Sequence, residues 1–69
     1  MEGTVREYRD STDFYLYIES KDQKRFFPQI EQNDVVLASG ARVNICYDTT
    51  GNVLHDQPVI RITSVTYLP

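Results

Sequence analysis

The sequence predicts an all-β domain closed into a five-stranded barrel, and three observations carry that expectation. Apolar and polar residues alternate with period two in several separate stretches, whereas apolar spacing of three and four residues is hard to find. Turn-forming clusters stand between those stretches, at residues 10–13, 20–23, 39–40 and 48–52. Finally, 69 residues are too few for two packed sheets of ordinary size. An open five-stranded sheet would expose unpaired edges, so closure resolves both constraints.

The first strand is expected over residues 3–9, with Val5 on one face and Arg6 and Tyr8 straddling a change of direction. Asp10, Ser11, Thr12 and Asp13 then supply side chains that bond their own backbone. The second strand, residues 14–19, is the most informative. Phe14, Leu16 and Ile18 make one apolar face, while Tyr15 and Tyr17 stand together on the other, followed by Glu19. A short third strand over 24–27 is expected to stop at Pro28, which has no amide hydrogen for a ladder.

A single helical turn anchored by Ile30 is expected over 29–33, and residues 35–37 lead to a turn at Ser39 and Gly40. The clearest alternation follows, with Ala41, Val43, Ile45 and Tyr47 on one face and Arg42, Asn44, Cys46 and Asp48 on the other. Residues 48–52 read as a loop, which His55, Asp56, Gln57 and Pro58 extend. The last strand, 59–65, turns Ile60 and Ile62 inward and Arg61 and Thr63 outward. The expected core is therefore Val5, Phe14, Leu16, Ile18, Val43, Ile45, Ile60 and Ile62.

Composition narrows the function. Ten acidic against seven basic residues give a net charge of −3, which argues against bulk binding of duplex DNA through its phosphates. One cysteine excludes an internal disulfide, and neither a membrane-length apolar run nor a secretory leader pattern is visible, so a cytoplasmic setting is expected. No nucleophile stands with a base and orienting group, and there is no glycine-rich phosphate loop, so an enzyme is not expected. Cys46 and His55 fall short of the four ligands of a closed zinc site; no metal or cofactor is expected, and His55 reads as a solvated loop residue.

Aromatic rings in line on a sheet are what single-stranded nucleic acid stacks on. Collected by expected face, Tyr8, Tyr15, Tyr17 and Phe26 form such a platform, with Arg6, Lys24, Arg42 and Arg61 placed to meet phosphates. Only one of Phe26 and Phe27 can point outward, and the short strand does not say which. The same rings serve equally as anchors for a protein partner or for self-association through Tyr15 and Tyr17.

The strand order, a three-strand meander followed by a connection and two further strands, suits a Greek-key barrel of the OB type, with an SH3-like barrel as the rival topology. Residues along most of the chain resemble the cold-shock domain, an OB-fold module that binds single-stranded RNA and DNA. Glu2-Gly3-Thr4-Val5-Arg6 resembles that family's opening strand. Tyr15-Leu16-Tyr17-Ile18 resembles its second-strand motif, Lys24-Arg25-Phe26-Phe27 its third-strand aromatic motif, and Ser39-Gly40-Ala41-Arg42-Val43-Asn44-Ile45 its fourth strand. The chain departs from the pattern at Phe14 and Leu16, where the family has glycine, and at Glu7, where it has tryptophan. The resemblance implies single-stranded RNA or DNA binding with little sequence preference. The aromatic faces and the outward arginines favour that reading, which is the leading one; the missing glycines and the acidity favour the alternative, a small adaptor or regulatory barrel that binds protein.

Overall fold

Period-two alternation places Val5, Ile18, Val43, Ile45, Ile60 and Ile62 on one side of their strands, and these six side chains form the buried core, none more than 2% exposed. The computed structural model describes residues 1–30 and 36–69. Five strands, β1 (Glu2–Arg9), β2 (Phe14–Ser20), β3 (Arg25–Ile30), β4 (Arg42–Leu54) and β5 (Gln57–Tyr67), pair in the order β1-β2-β3-β5-β4. β4 pairs with β1 over Glu2–Thr4, so the sheet closes into a ring. Every neighbouring pair is antiparallel except β3 and β5.

Register fixes which residues share a face. Val5 lies opposite Ile18, and Ile18 opposite Phe26, so these three point into the ring, with Phe26 and Leu16 packed on the core as half-buried side chains. At Gly3 the neighbouring strand leaves no room for a side chain. A Cβ there would sit 2.8 Å from Ile18 Cγ2 and 2.9 Å from the Glu19 carbonyl oxygen, so only glycine fits.

The ring is shorter than its two long hairpins. β4 covers β1 only at Glu2–Thr4, and β3 covers β2 only at Ile18 and Glu19, so the far half of the β1–β2 hairpin projects beyond the ring. This corrects the expectation for Phe14. Its alternation is inward, but among the described residues no strand lies beneath it; it is 58% exposed, with the Arg9 guanidinium 5.1 Å above its ring. The β4–β5 hairpin projects in the same way, and the loop expected over 48–52 is instead a kink inside β4.

The ladder shifts between Thr49 and Val53, with Gly51 at φ 80° and the Thr50 hydroxyl donating to the Val59 carbonyl at 2.8 Å. Such a bulge bends a strand without ending it. The arm then closes in a two-residue turn, His55 and Asp56, between paired Leu54 and Gln57. Both turn residues have positive φ, 53° and 60°. That is the backbone a two-residue hairpin requires, and it was not legible beforehand because neither residue is glycine.

Three further expectations are revised. β3 runs through Pro28 to Ile30, because it pairs with β5 there while its described ladder to β2 ends at Phe26, so the missing proline amide interrupts no ladder to β2. The helical turn expected over 29–33 begins as strand at Gln29 and Ile30; residues 31–35, and with them the start of the 35–37 segment, lie outside the described residues. Tyr47, expected on the core face, is 36% exposed, since a register shift between Cys46 and Tyr47 re-aims it toward Phe26, ring centres 6.3 Å apart.

Candidate functional site

Opposite the core, the outer faces of β1 and β2 carry Arg6 and Tyr8 against Tyr17 and Tyr15 in direct cross-strand register. Cross-strand neighbours on one face have Cβ atoms about 5 Å apart, so the rings must meet. Tyr8 and Tyr15 stack with centres 4.9 Å apart and planes 20° from parallel, and Tyr17 lies 6.3 Å from Tyr15 in a tilted arrangement. These three rings are gathered where the alternation placed them.

The third-strand residue is different. Because Phe26 pairs with Ile18 it turns into the core, and Phe27 takes the outward place, 5.9 Å from Tyr15. Phe26 is therefore no part of the aromatic face. The sequence could not decide between them, since the answer depends on a two-residue ladder to β2.

A fifth ring comes from the far side of the chain. The kinked β4–β5 arm lays its tip against the β1–β2 arm, and His55 stacks on Tyr15 with centres 4.0 Å apart and planes 11° from parallel. It also lies 5.7 Å from Phe27. His55 is the exposed turn residue that was expected, and its ring nonetheless packs on Tyr15. No periodicity could have found it, because a turn residue belongs to neither face of a strand. On the β5 side of the turn Gln57 is 4% and Val59 8% exposed, and the Gln57 Oε1 has no hydrogen-bond partner among the described residues.

Tyr8 is held in place by the β1–β2 turn. Its hydroxyl donates to Asp10 Oδ2 at 2.6 Å, while Asp10 Oδ1 accepts from the backbone amides of Thr12 at 2.8 Å and Asp13 at 2.7 Å. These bonds, the Tyr8 hydroxyl first, hold the Asp10 carboxyl well below the usual carboxylate range. The same hydrogen bond, followed by the charge of Asp10, pushes the Tyr8 hydroxyl above its ordinary value.

The expected cations divide. Arg6 borders the rings, its Nε 3.4 Å from Glu19 Oε1. Arg42, opposite Thr4, continues the outer face away from the rings into an open cleft of about 280 Å³ that Arg6, Lys21, Glu2 and Glu19 also line. Lys21 pairs there with Glu2 at 2.8 Å, so the cleft carries both signs of charge. Lys24 lies before β3 in the β2–β3 turn, its carbonyl accepting from the Ser20 amide. Arg61 is on β5, bonded to Asp48 at 2.7 Å. Neither Lys24 nor Arg61 joins the ring cluster. The sequence reading missed Arg25, whose guanidinium lies 5.1 Å over the Tyr17 ring.

Among the described residues, no helix is long and apolar enough to cross a membrane, and no three His, Cys, Asp or Glu side chains are grouped to hold a metal. Cys46 is exposed on β4 opposite Ser64. Comparison with protein-family models, with curated proteins and with solved structures finds no match to this chain.

Proposed function

We propose that the chain is an OB-type barrel that binds single-stranded RNA or DNA on the outer face of β1, β2 and β3. The observation that carries this reading is the ring cluster of Tyr8, Tyr15, Tyr17, Phe27 and His55 on one face, flanked by Arg6 and Arg25. Stacking on such rings contributes about 1 to 3 kcal/mol per base and tolerates any sequence, because every base has a π face. The strand order supports the barrel type. The long connection after β3 carries the chain across to pair β4 with β1, and β5 returns between β4 and β3, which is a Greek-key path. The seven cations are mostly committed locally: Arg6, Arg9, Lys21 and Arg61 each bond a carboxylate. Affinity is therefore led by stacking rather than by charge.

The test is titration with short single-stranded DNA and RNA while following tyrosine fluorescence, which no tryptophan obscures. Tyr17→Ala should weaken binding by about 1 to 3 kcal/mol, and a titration in which the intact protein gives no saturable change overturns the reading.

A protein partner is the second reading, favoured by Val53 and Leu54, which are 68% and 45% exposed on the same hairpin tip as His55. Tyr15→Ala with Tyr17→Ala would then leave oligonucleotide titrations unchanged and reduce sedimentation-detected association instead.

A further inference from the structure

We propose that His55 is a ring supplied by the protein itself at the place where a nucleobase stacks on Tyr15, and that ligand and tip exchange there as the β4–β5 turn swings aside. The inference rests on the nucleic-acid reading and adds to it the residue that governs entry. Tyr15 stacks with Tyr8 at 4.9 Å and with His55 at 4.0 Å, each within 20° of parallel. Two rings stacked on the same face would overlap each other, so the pair takes both faces of Tyr15 and leaves none for a base. One of them must yield.

Tyr8 is the worse candidate for displacement. It sits inside a continuous ladder opposite Tyr15, and its hydroxyl is bonded to an Asp10 that is itself held by the turn. His55 has the opposite character. It occupies the tip of an arm that bends at Gly51, in a turn whose two residues, neither of them glycine, both have positive φ. Directly after that turn, Gln57 keeps a buried carboxamide oxygen unpaired among the described residues, so the tip's present position leaves hydrogen-bonding capacity unused. A segment that reaches the rings from beyond a glycine bend and leaves an acceptor unmatched is the one that moves when a competing ring arrives.

An imidazole is a smaller stacking surface than a purine or pyrimidine with its substituents. Exchange of one for the other therefore gains contact area, while the tip is released to solvent. The intact protein binds more weakly than its rings allow, because each ligand first displaces the tip.

The experiment uses the full chain and a single-stranded oligothymidylate of about ten nucleotides. His55→Asn removes the ring and keeps a residue that tolerates positive φ, whereas His55→Phe keeps a ring at the tip. Affinity should rise about three- to tenfold for His55→Asn and stay within about twofold for His55→Phe, as removal of one stacked pair implies. Weaker binding by His55→Asn would make His55 part of the ligand's own stack, and unchanged binding would make the tip irrelevant; either overturns the inference while the nucleic-acid reading stands. Binding by His55→Asn alone supports it most strongly. No binding by any of the three proteins removes the nucleic-acid reading and this inference with it. Without any substitution, the His55 ring proton resonances, displaced upfield by the face of Tyr15, should move toward solvent values on saturation with the oligonucleotide. Resonances that remain upfield at saturation overturn the exchange.

Discussion

The ring and the two hairpin arms are made from the same strands and obey different physics. Inside the ring, Val5, Ile18, Val43, Ile45, Ile60 and Ile62 are aliphatic, at most 2% exposed and surrounded by five paired strands. In the arms the contacts are aromatic, partly exposed and made between two hairpins that share no hydrogen-bonded ladder there, Tyr15 against His55 being the closest ring contact. Burial of aliphatic groups stabilises in proportion to area and is insensitive to orientation, whereas ring stacking adds about 0.5 to 1.5 kcal/mol per pair and depends on geometry. The ring holds the fold, and the arms hold a partly exposed aromatic surface.

The largest effect should come from the ring. Ile45→Ala should cost about 2 to 5 kcal/mol in denaturant unfolding, a large share of the stability of so small a domain. Gly3→Ala comes next at about 1 to 3 kcal/mol, because the new methyl meets the Glu19 carbonyl oxygen at 2.9 Å and backbone cannot move aside as a side-chain tip can. In the arms, Tyr15→Ala should cost about 1 kcal/mol by the same measurement. A loss as large as that of Ile45→Ala would show that the arms belong to the core and erase the distinction.

The electrostatic effects are smaller. Oligonucleotide affinity should fall with salt, each phosphate contact adding about −0.7 to the slope of log affinity against log salt, so Arg25→Gln should flatten the slope by about one such step. A slope unchanged in this variant would show that Arg25 serves only to cover Tyr17.

The pH dependence of the Tyr8–Asp10 bond is the smallest effect and has a fixed sign. The Asp10 carboxyl is lowered from 3.8, so its contribution is present above that value and is lost as pH falls through the lowered value. The Tyr8 hydroxyl is raised above 10.0, so its contribution is present below that and is lost as pH rises further. Thermal melts should thus show a shallow plateau between these limits, and Asp10→Asn should lower the plateau and blunt both edges.

Much of the ring was legible because alternation is a local property. Val5, Ile18, Val43, Ile45, Ile60 and Ile62 read as inward from their neighbours alone, and all six are buried. Phe14 shows the limit: its parity is right, and yet it is exposed, because burial needs a strand beneath it and alternation says nothing of where the ring ends. Tyr8, Tyr15 and Tyr17 were legible as one face for the same local reason. Phe27, Arg25 and His55 were not, since their places depend on pairings and contacts with strands distant in sequence.

By itself the sequence determined the all-β class, the inward aliphatic set and the outward tyrosines, because side chains on an extended chain alternate whatever the strand pairs with. Tertiary structure alone decided that β3 closes on β5 in parallel, that Phe26 turns in and Phe27 out, and that a kink at Gly51 carries His55 onto Tyr15. Those outcomes depend on register between distant segments, where a shift of one residue exchanges every face, and no local pattern encodes that choice.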